Sequence, residues 1–277
     1  MTISWYPGHM RKASKELAKI MRKTHAVIEI LDARIPAASS NPLLASIRGQ
    51  IPCIKVLSKA DLADASITRA WRSYFNAQDG CLCLLNGLDN KLSAVDVISA
   101  ADRLLRHSRD QLPAKRQLVI VGIPNVGKST LLNQIADRKI AKTGNEPAVT
   151  KTQQRVRLDE KWYLVDTPGL LWPKLEDQTG AYRLACTGTI RNTAVEAEDV
   201  AWFVAEWLLR EHRQALSDRY QLHASIEKPE QLLQSIAESR GCIGKGGRPD
   251  WHKTAETLLN DYRSGKLGRF SLEHPPE

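Results

Sequence analysis

Gln117-Leu118-Val119-Ile120-Val121-Gly122-Ile123-Pro124-Asn125-Val126-Gly127-Lys128-Ser129 is the stretch whose reading decides the fold. An apolar strand runs into a glycine, and Gly122 to Ser129 fits the phosphate-binding pattern G-x-x-x-x-G-K-[ST]. Thr130-Leu131-Leu132-Asn133-Gln134-Ile135 then opens a helix. Strand, glycine loop and helix together are what a phosphate cradle needs. The glycines let backbone N–H groups curl around phosphate oxygens, and the helix N-terminus adds its dipole. Asn125, Val126, Gly127, Lys128, Ser129 and Thr130 are therefore expected around a nucleotide's phosphates, with Lys128 on the β- and γ-phosphates and Ser129 on Mg²⁺.

Downstream, Asp166-Thr167-Pro168-Gly169 follows a strand, 38 residues after Lys128. An Asp at a strand end suits a water-mediated hold on Mg²⁺. The Gly169 N–H can approach a γ-phosphate because no Cβ intervenes. A plain turn would use the same residues. The polar segment Thr143 to Thr152 lies between, as a switch loop would; Thr150 is the expected second Mg²⁺ ligand, with Thr152 as the alternative.

Upstream lie three more apolar strands: Ala26 to Asp32, Cys53 to Leu57 and Cys81 to Leu85. The second runs into Ser58-Lys59-Ala60-Asp61, close to the base-reading pattern N-K-x-D. A carboxylate at Asp61 would accept hydrogen bonds from guanine N1–H and the 2-amino group, which adenine cannot offer, while the Lys59 stem lies across the base. Alone, the tetrapeptide also reads as a helix cap. Asn86-Gly87, after the third strand, is the candidate loop closing over the base. Order is informative. In ordinary GTPases the P-loop precedes the base-reading motifs; here residues 58–61 and 86–87 come first, so the motifs are circularly permuted.

Short strands alternating with helices predict an α/β fold with a doubly wound, mostly parallel sheet, and ligands beyond the strands' carboxyl ends. Val156 to Leu158 and Trp162 to Val165 read as a strand pair. Residues 1–178 are expected to form this GTPase domain. From 179 to 277 the pattern becomes helical, around Val195 to His212, Glu230 to Ser239 and a segment from Asp250 to Gly265, with an irregular glycine-rich stretch at 241–249.

The chain has 277 residues, with 40 basic against 31 acidic side chains, a net charge of +9. Such a balance attracts polyanions, nucleic acid first among them, although a solvated, slightly basic surface would show the same charge. The excess gathers near the ends, at 9–25 and 240–270. No apolar run approaches the roughly 20 residues that span a bilayer, and the first 23 residues do not read as a secretory signal, so a cytoplasmic protein without membrane partner is expected. Five cysteines show no C-x-x-C or zinc spacing and are expected to be reduced and mostly buried.

With the permuted order, the opening Trp5-Tyr6-Pro7-Gly8-His9-Met10, the stretch Asp32-Ala33-Arg34-Ile35-Pro36 and the tail Arg263-Ser264-Gly265-Lys266-Leu267-Gly268-Arg269, the sequence resembles the bacterial ribosome biogenesis GTPase A family, also called YlqF. The resemblance covers essentially the whole chain. It implies a Mg²⁺-dependent GTPase that binds GTP and GDP and acts late in assembly of the large ribosomal subunit. It also implies a helical C-terminal domain contacting rRNA; no DNA partner is implied. Ser58 stands where the family usually has Asn, and Ala148 where a Gly often precedes the switch Val-Thr. Leu170 stands where many GTPases carry a water-orienting Gln, so intrinsic hydrolysis should be slow. Two compensators are open: His9 could orient or deprotonate water, or Asn125 could ligate a K⁺ ion. Three rival classes remain: a signalling switch with protein partners only, an ATPase, and an RNA-binding module with an inactive nucleotide site.

Overall fold

The computed structural model describes residues 8–106, 112–137, 155–170, 177–190, 196–223 and 225–276, with side chains from Ser14 onward. His9's side chain, Thr150 and Thr152 thus lie outside the described residues. The elements are α1 (Gly8–Met21), β1 (Ala26–Asp32), α2 (Pro36–Ser39), α3 (Pro42–Arg48), β2 (Cys53–Ser58), α4 (Ala65–Asn76), β3 (Cys81–Leu85), α5 (Ala94–Leu105), β4 (Arg116–Val121), α6 (Lys128–Ile135), β5 (Arg155–Arg157) and β6 (Trp162–Asp166), then α7 (Gln178–Cys186), α8 (Ala197–Glu211), α9 (Arg213–Tyr220), α10 (Pro229–Ser239) and α11 (Trp251–Arg263).

The strands form one sheet in the order β3-β2-β1-β4-β6-β5. All neighbours run parallel except β5, which pairs antiparallel with β6 through Arg155–Val165, Val156–Leu164 and Arg157–Tyr163. Every residue of β1 and β2 is buried. That is why these strands read as nearly unbroken apolar runs, the pattern of a sheet covered on both faces. The strands after β1 build outward on one side, through β2 and β3, and those after β4 on the other. The order therefore reverses between β1 and β4, the position at which open α/β sheets place their ligands. Pairing of β1 with β4 stops at Glu29–Val121, so Ile30, Leu31 and Asp32 run on beside the loop that leaves β4.

Around α4 the core is aromatic. Trp71 stacks on Phe75 with centroids 5.3 Å apart, and both pack with Leu31, Leu57 and Cys83. All five cysteines are free and buried.

The chain divides into two compact units, one of Ser4–Leu175 with Phe270–Glu277, the other chiefly Glu176–Arg269. The last eight residues belong with the sheet, because their backbone and side chains bond to it: Phe270 N–H donates to the Leu62 carbonyl (3.1 Å) and Leu272 N–H to the Arg34 carbonyl (2.9 Å). The second unit is helical. Its core joins Val200, Val204 and Leu208 of α8 to Leu232 and Ile236 of α10 and Leu258 and Leu259 of α11, all buried. Arg219 clamps Asp261 with bonds of 2.8 and 3.1 Å, and the Tyr220 hydroxyl donates to the same carboxylate at 3.1 Å.

Candidate functional site

Beyond the carboxyl ends of β1, β2, β4 and β6, the motifs separated in sequence converge. The P-loop turns through Asn125 (φ 58°) and Gly127 (φ 98°) before α6 begins at Lys128. Lys128 is buried; its ammonium donates to the carbonyls of Gly122 (3.1 Å) and Ile123 (2.7 Å). Burial pulls its pKa down to about 8, against the opposing pull of the Asp166 carboxylate. Asp166 lies at the end of β6, opposite Ile120 in register and 1% exposed. Ser129 and Thr130 sit in the first turn of α6.

Gly169 crosses the P-loop closely. A Cβ there would lie 3.0 Å from both Lys128 Nζ and Pro124 N, a tight approach that would push the P-loop backbone aside, which glycine avoids. Two further bonds fix this crossing: Leu170 N–H to the Gly122 carbonyl (3.3 Å) and Asn41 Nδ2 to the Leu170 carbonyl (2.7 Å). Leu170 itself is buried.

On the base side, Ser58 is buried at the end of β2. Its hydroxyl lies 2.9 Å from the Leu31 carbonyl and 2.6 Å from the Val126 carbonyl. The serine thus ties the end of β2 to the P-loop, at the position where the family usually has Asn. Lys59 is left-handed (φ 54°). Its ammonium bonds Asp32 Oδ2 at 2.8 Å and the Asn125 carbonyl at 3.0 Å, which stretches the stem across the site. Asp61 follows in a 3-10 turn, Ala60–Leu62, and accepts the Leu88 N–H on Oδ1 (3.1 Å). A Cβ on Gly87 would stand 2.8 Å from that same oxygen. Asn86 joins the three parts: its N–H donates to Leu57, its carbonyl accepts from Ala60, and its amide oxygen accepts from Leu92 N–H and from Gln134 of α6. Ser58, Lys59, Asp61, Asn86, Gly87 and Asn125 are thus joined by these bonds and close approaches.

Asp32 has a larger part than its sequence suggested. Fully buried at the end of β1, it accepts Arg34 Nε (2.9 Å) and Nη2 (2.8 Å) and the Lys59 ammonium. Burial alone would raise its pKa, yet the two cations and their hydrogen bonds hold the carboxyl well below the usual carboxylate range. D-A-R in front of Ile-Pro was the available clue.

A family model described as 50S ribosome-binding GTPase matches residues 117–236, from β4 into α10. Ribosome biogenesis GTPase A of Priestia megaterium is 39% identical over 284 residues, covering 100% of this chain and 98% of the relative. That of Bacillus licheniformis is 40% identical over 283 residues and covers both chains completely.

The chain belongs to the ribosome biogenesis GTPase A family.

In fold, this ribosome biogenesis GTPase A chain is similar to GNP-bound YlqF from T. maritima, with a TM-score of 0.67, 23% identity, and 96% of this chain and 99% of that one covered. The family assignment makes the chain a GTPase involved in ribosome biogenesis, which binds guanine nucleotides and hydrolyses GTP. Among the described residues, no helix of this family member is long and apolar enough to cross a membrane.

Proposed function

We propose that this GTPase assists assembly of the large ribosomal subunit in the cytoplasm, binding rRNA through its helical unit in a GTP-dependent way. The observation that carries the reading is the hairpin between α10 and α11. An antiparallel bridge between Ile243 and Pro249 closes Gly244-Lys245-Gly246-Gly247-Arg248 into a tight loop, held by Gly244 N–H on the Arg248 carbonyl at 2.8 Å. Lys245, Arg248 and Lys253 are exposed around it, as are Ile243 (42%) and Trp251 (43%). A glycine loop between two helices, with cations for phosphates and an aromatic face for a base, suits single-stranded RNA. Not every C-terminal cation is available. Arg263 spends its guanidinium on the Ala185 and Cys186 carbonyls that end α7.

Within the site, Lys128 neutralises the β- and γ-phosphates, the Gly169 N–H meets the γ-phosphate, and Asp61 reads guanine under the Asn86-Gly87 loop. Mg²⁺ fits the chemistry of the donors: the Ser129 hydroxyl and the buried Asp166 carboxylate are hard oxygens. Bound there, it would neutralise charge on the phosphates. Water is oriented by His9 or by a K⁺ ion on Asn125, because the buried Leu170 can do neither. The half-built site is completed by the ribosome.

The test is GTP hydrolysis in K⁺ or Na⁺ buffer, alone and with purified large or small subunits. Strong stimulation by the large subunit alone, lost in Lys245→Ala/Arg248→Ala, is the expected result. Equal rates with and without either subunit would overturn the reading and favour a switch acting on protein partners. K⁺ dependence of the basal rate would select the ion over His9.

A further inference from the structure

The sequence motifs leave the C-terminal segment unused, yet it is buried against the machinery that reads the base. Ser271, Leu272 and Glu273 are 5%, 7% and 4% exposed, a degree of burial that a terminal segment reaches only when tied down. Glu273 Oε2 accepts the Ala37 N–H at 2.7 Å, and its carboxylate accepts Ala38 N–H at 3.1 and 3.2 Å. Its carbonyl accepts Trp71 Nε1 at 3.0 Å. Ser271 Oγ accepts the Asp64 N–H at 3.2 Å.

These bonds grip two short stretches. One is Arg34 to Ala38, whose first residue holds Asp32 and, through it, Lys59. The other is Leu62 to Asp64, directly after Asp61. Both groups facing the base are therefore braced from behind by one segment of chain. A buried carboxylate is costly unless its oxygens are satisfied, and backbone N–H donors from the turn after Arg34 supply that satisfaction here. Losing the carboxylate would leave those N–H groups without their acceptor, and the turn would shift.

We propose that Glu273 is a positioning residue for guanine recognition: with Ser271, it sets the geometry of the Arg34–Asp32–Lys59 chain and of the Asp61 turn. It touches no nucleotide. Its effect is transmitted to Lys59 and Asp61, so it should alter discrimination as well as affinity.

The experiment compares GDP with inosine diphosphate, which lacks the 2-amino group that Asp61 would accept. Dissociation constants are measured for the full chain and for Glu273→Ala, Glu273→Gln and Ser271→Ala, with thermal unfolding of each. Glu273→Ala should weaken GDP roughly tenfold and compress the GDP-to-inosine-diphosphate preference by a similar factor, since a loosened carboxylate loses the bond that distinguishes them. Glu273→Gln, which keeps one acceptor oxygen, should recover part of both. A segment that only stabilises the fold would weaken both nucleotides equally; an unchanged preference in folded Glu273→Ala would overturn the proposal. Should Glu273→Ala fail to fold, Ser271→Ala reads the same ratio, and an unchanged ratio there is equally fatal.

Discussion

Asp61 stands on a 3-10 turn with one carboxylate oxygen already committed to the Leu88 N–H, which leaves the other oxygen for the guanine base in the function proposed above. Asp61→Asn would present a donor to guanine's own donors. GDP should weaken by about a hundredfold or more while xanthosine diphosphate, with an acceptor at that position, gains; titration with both nucleotides checks this, and an unchanged order would remove Asp61 from the base site. Lys128 gives a prediction in pH. Its pKa is about 8 in the free protein, and phosphates beside the ammonium raise it. Below pH 8 the lysine is already charged and binding takes up no proton. Above pH 8 binding must protonate it, so affinity falls by up to tenfold per pH unit until the raised value is reached. Calorimetry of GDP binding at pH 8.5 in buffers of different ionisation enthalpy should show net proton uptake, absent at pH 7.

Elements carry the next effects. Asn41 caps α3 through Leu43 N–H at 2.9 Å and also bonds the Leu170 carbonyl. Asn41→Ala loses the cap and orphans a buried carbonyl, a cost of about 2 kcal/mol, so Tm should drop by roughly 4–8 °C in a melt of the free protein. In the helical unit, Asp261 is held below its usual range. Burial opposes this, but the Arg219 and Tyr220 hydrogen bonds prevail. A depressed carboxylate contributes fully above its unfolded pKa, 3.8, and less as pH falls through the folded value; Asp261→Asn should flatten that acid limb of the unfolding curve. The main elements were legible because their burial is regular. β1 and β2 are buried along their whole length and read as apolar runs, while α8, α10 and α11 keep a helical period. By contrast α9 buries only Leu216 and Tyr220, too few for a period to show. Trp202, an apolar residue of α8, is 45% exposed. The site was legible wherever a motif is local. The Asn41–Leu170 bond and the Glu273 brace join residues 129 and more than 230 positions apart, and no local pattern marks such pairs.

For the whole molecule, charge and connectivity matter most. With a net of +9, binding to single-stranded RNA should weaken steeply with salt, and removing two phosphate-facing cations in Lys245→Ala/Arg248→Ala should reduce the slope of log K against log[salt] by about 1.5; an unchanged slope would place the RNA elsewhere. The return of Phe270–Glu277 to the sheet makes the helical unit an insertion and not an appendage. Among the described residues the chain leaves the first unit once and re-enters it once, so the inserted part is tethered at both ends. One protease cut, in either crossing, would leave the fragments joined by the packed tail, and the native mass would not change. Two cuts would be needed to release the helices. Removing residues 270–277 would take away the proposed brace without touching any described helix, so an isolated GTPase unit has to be made by splicing the two crossings together.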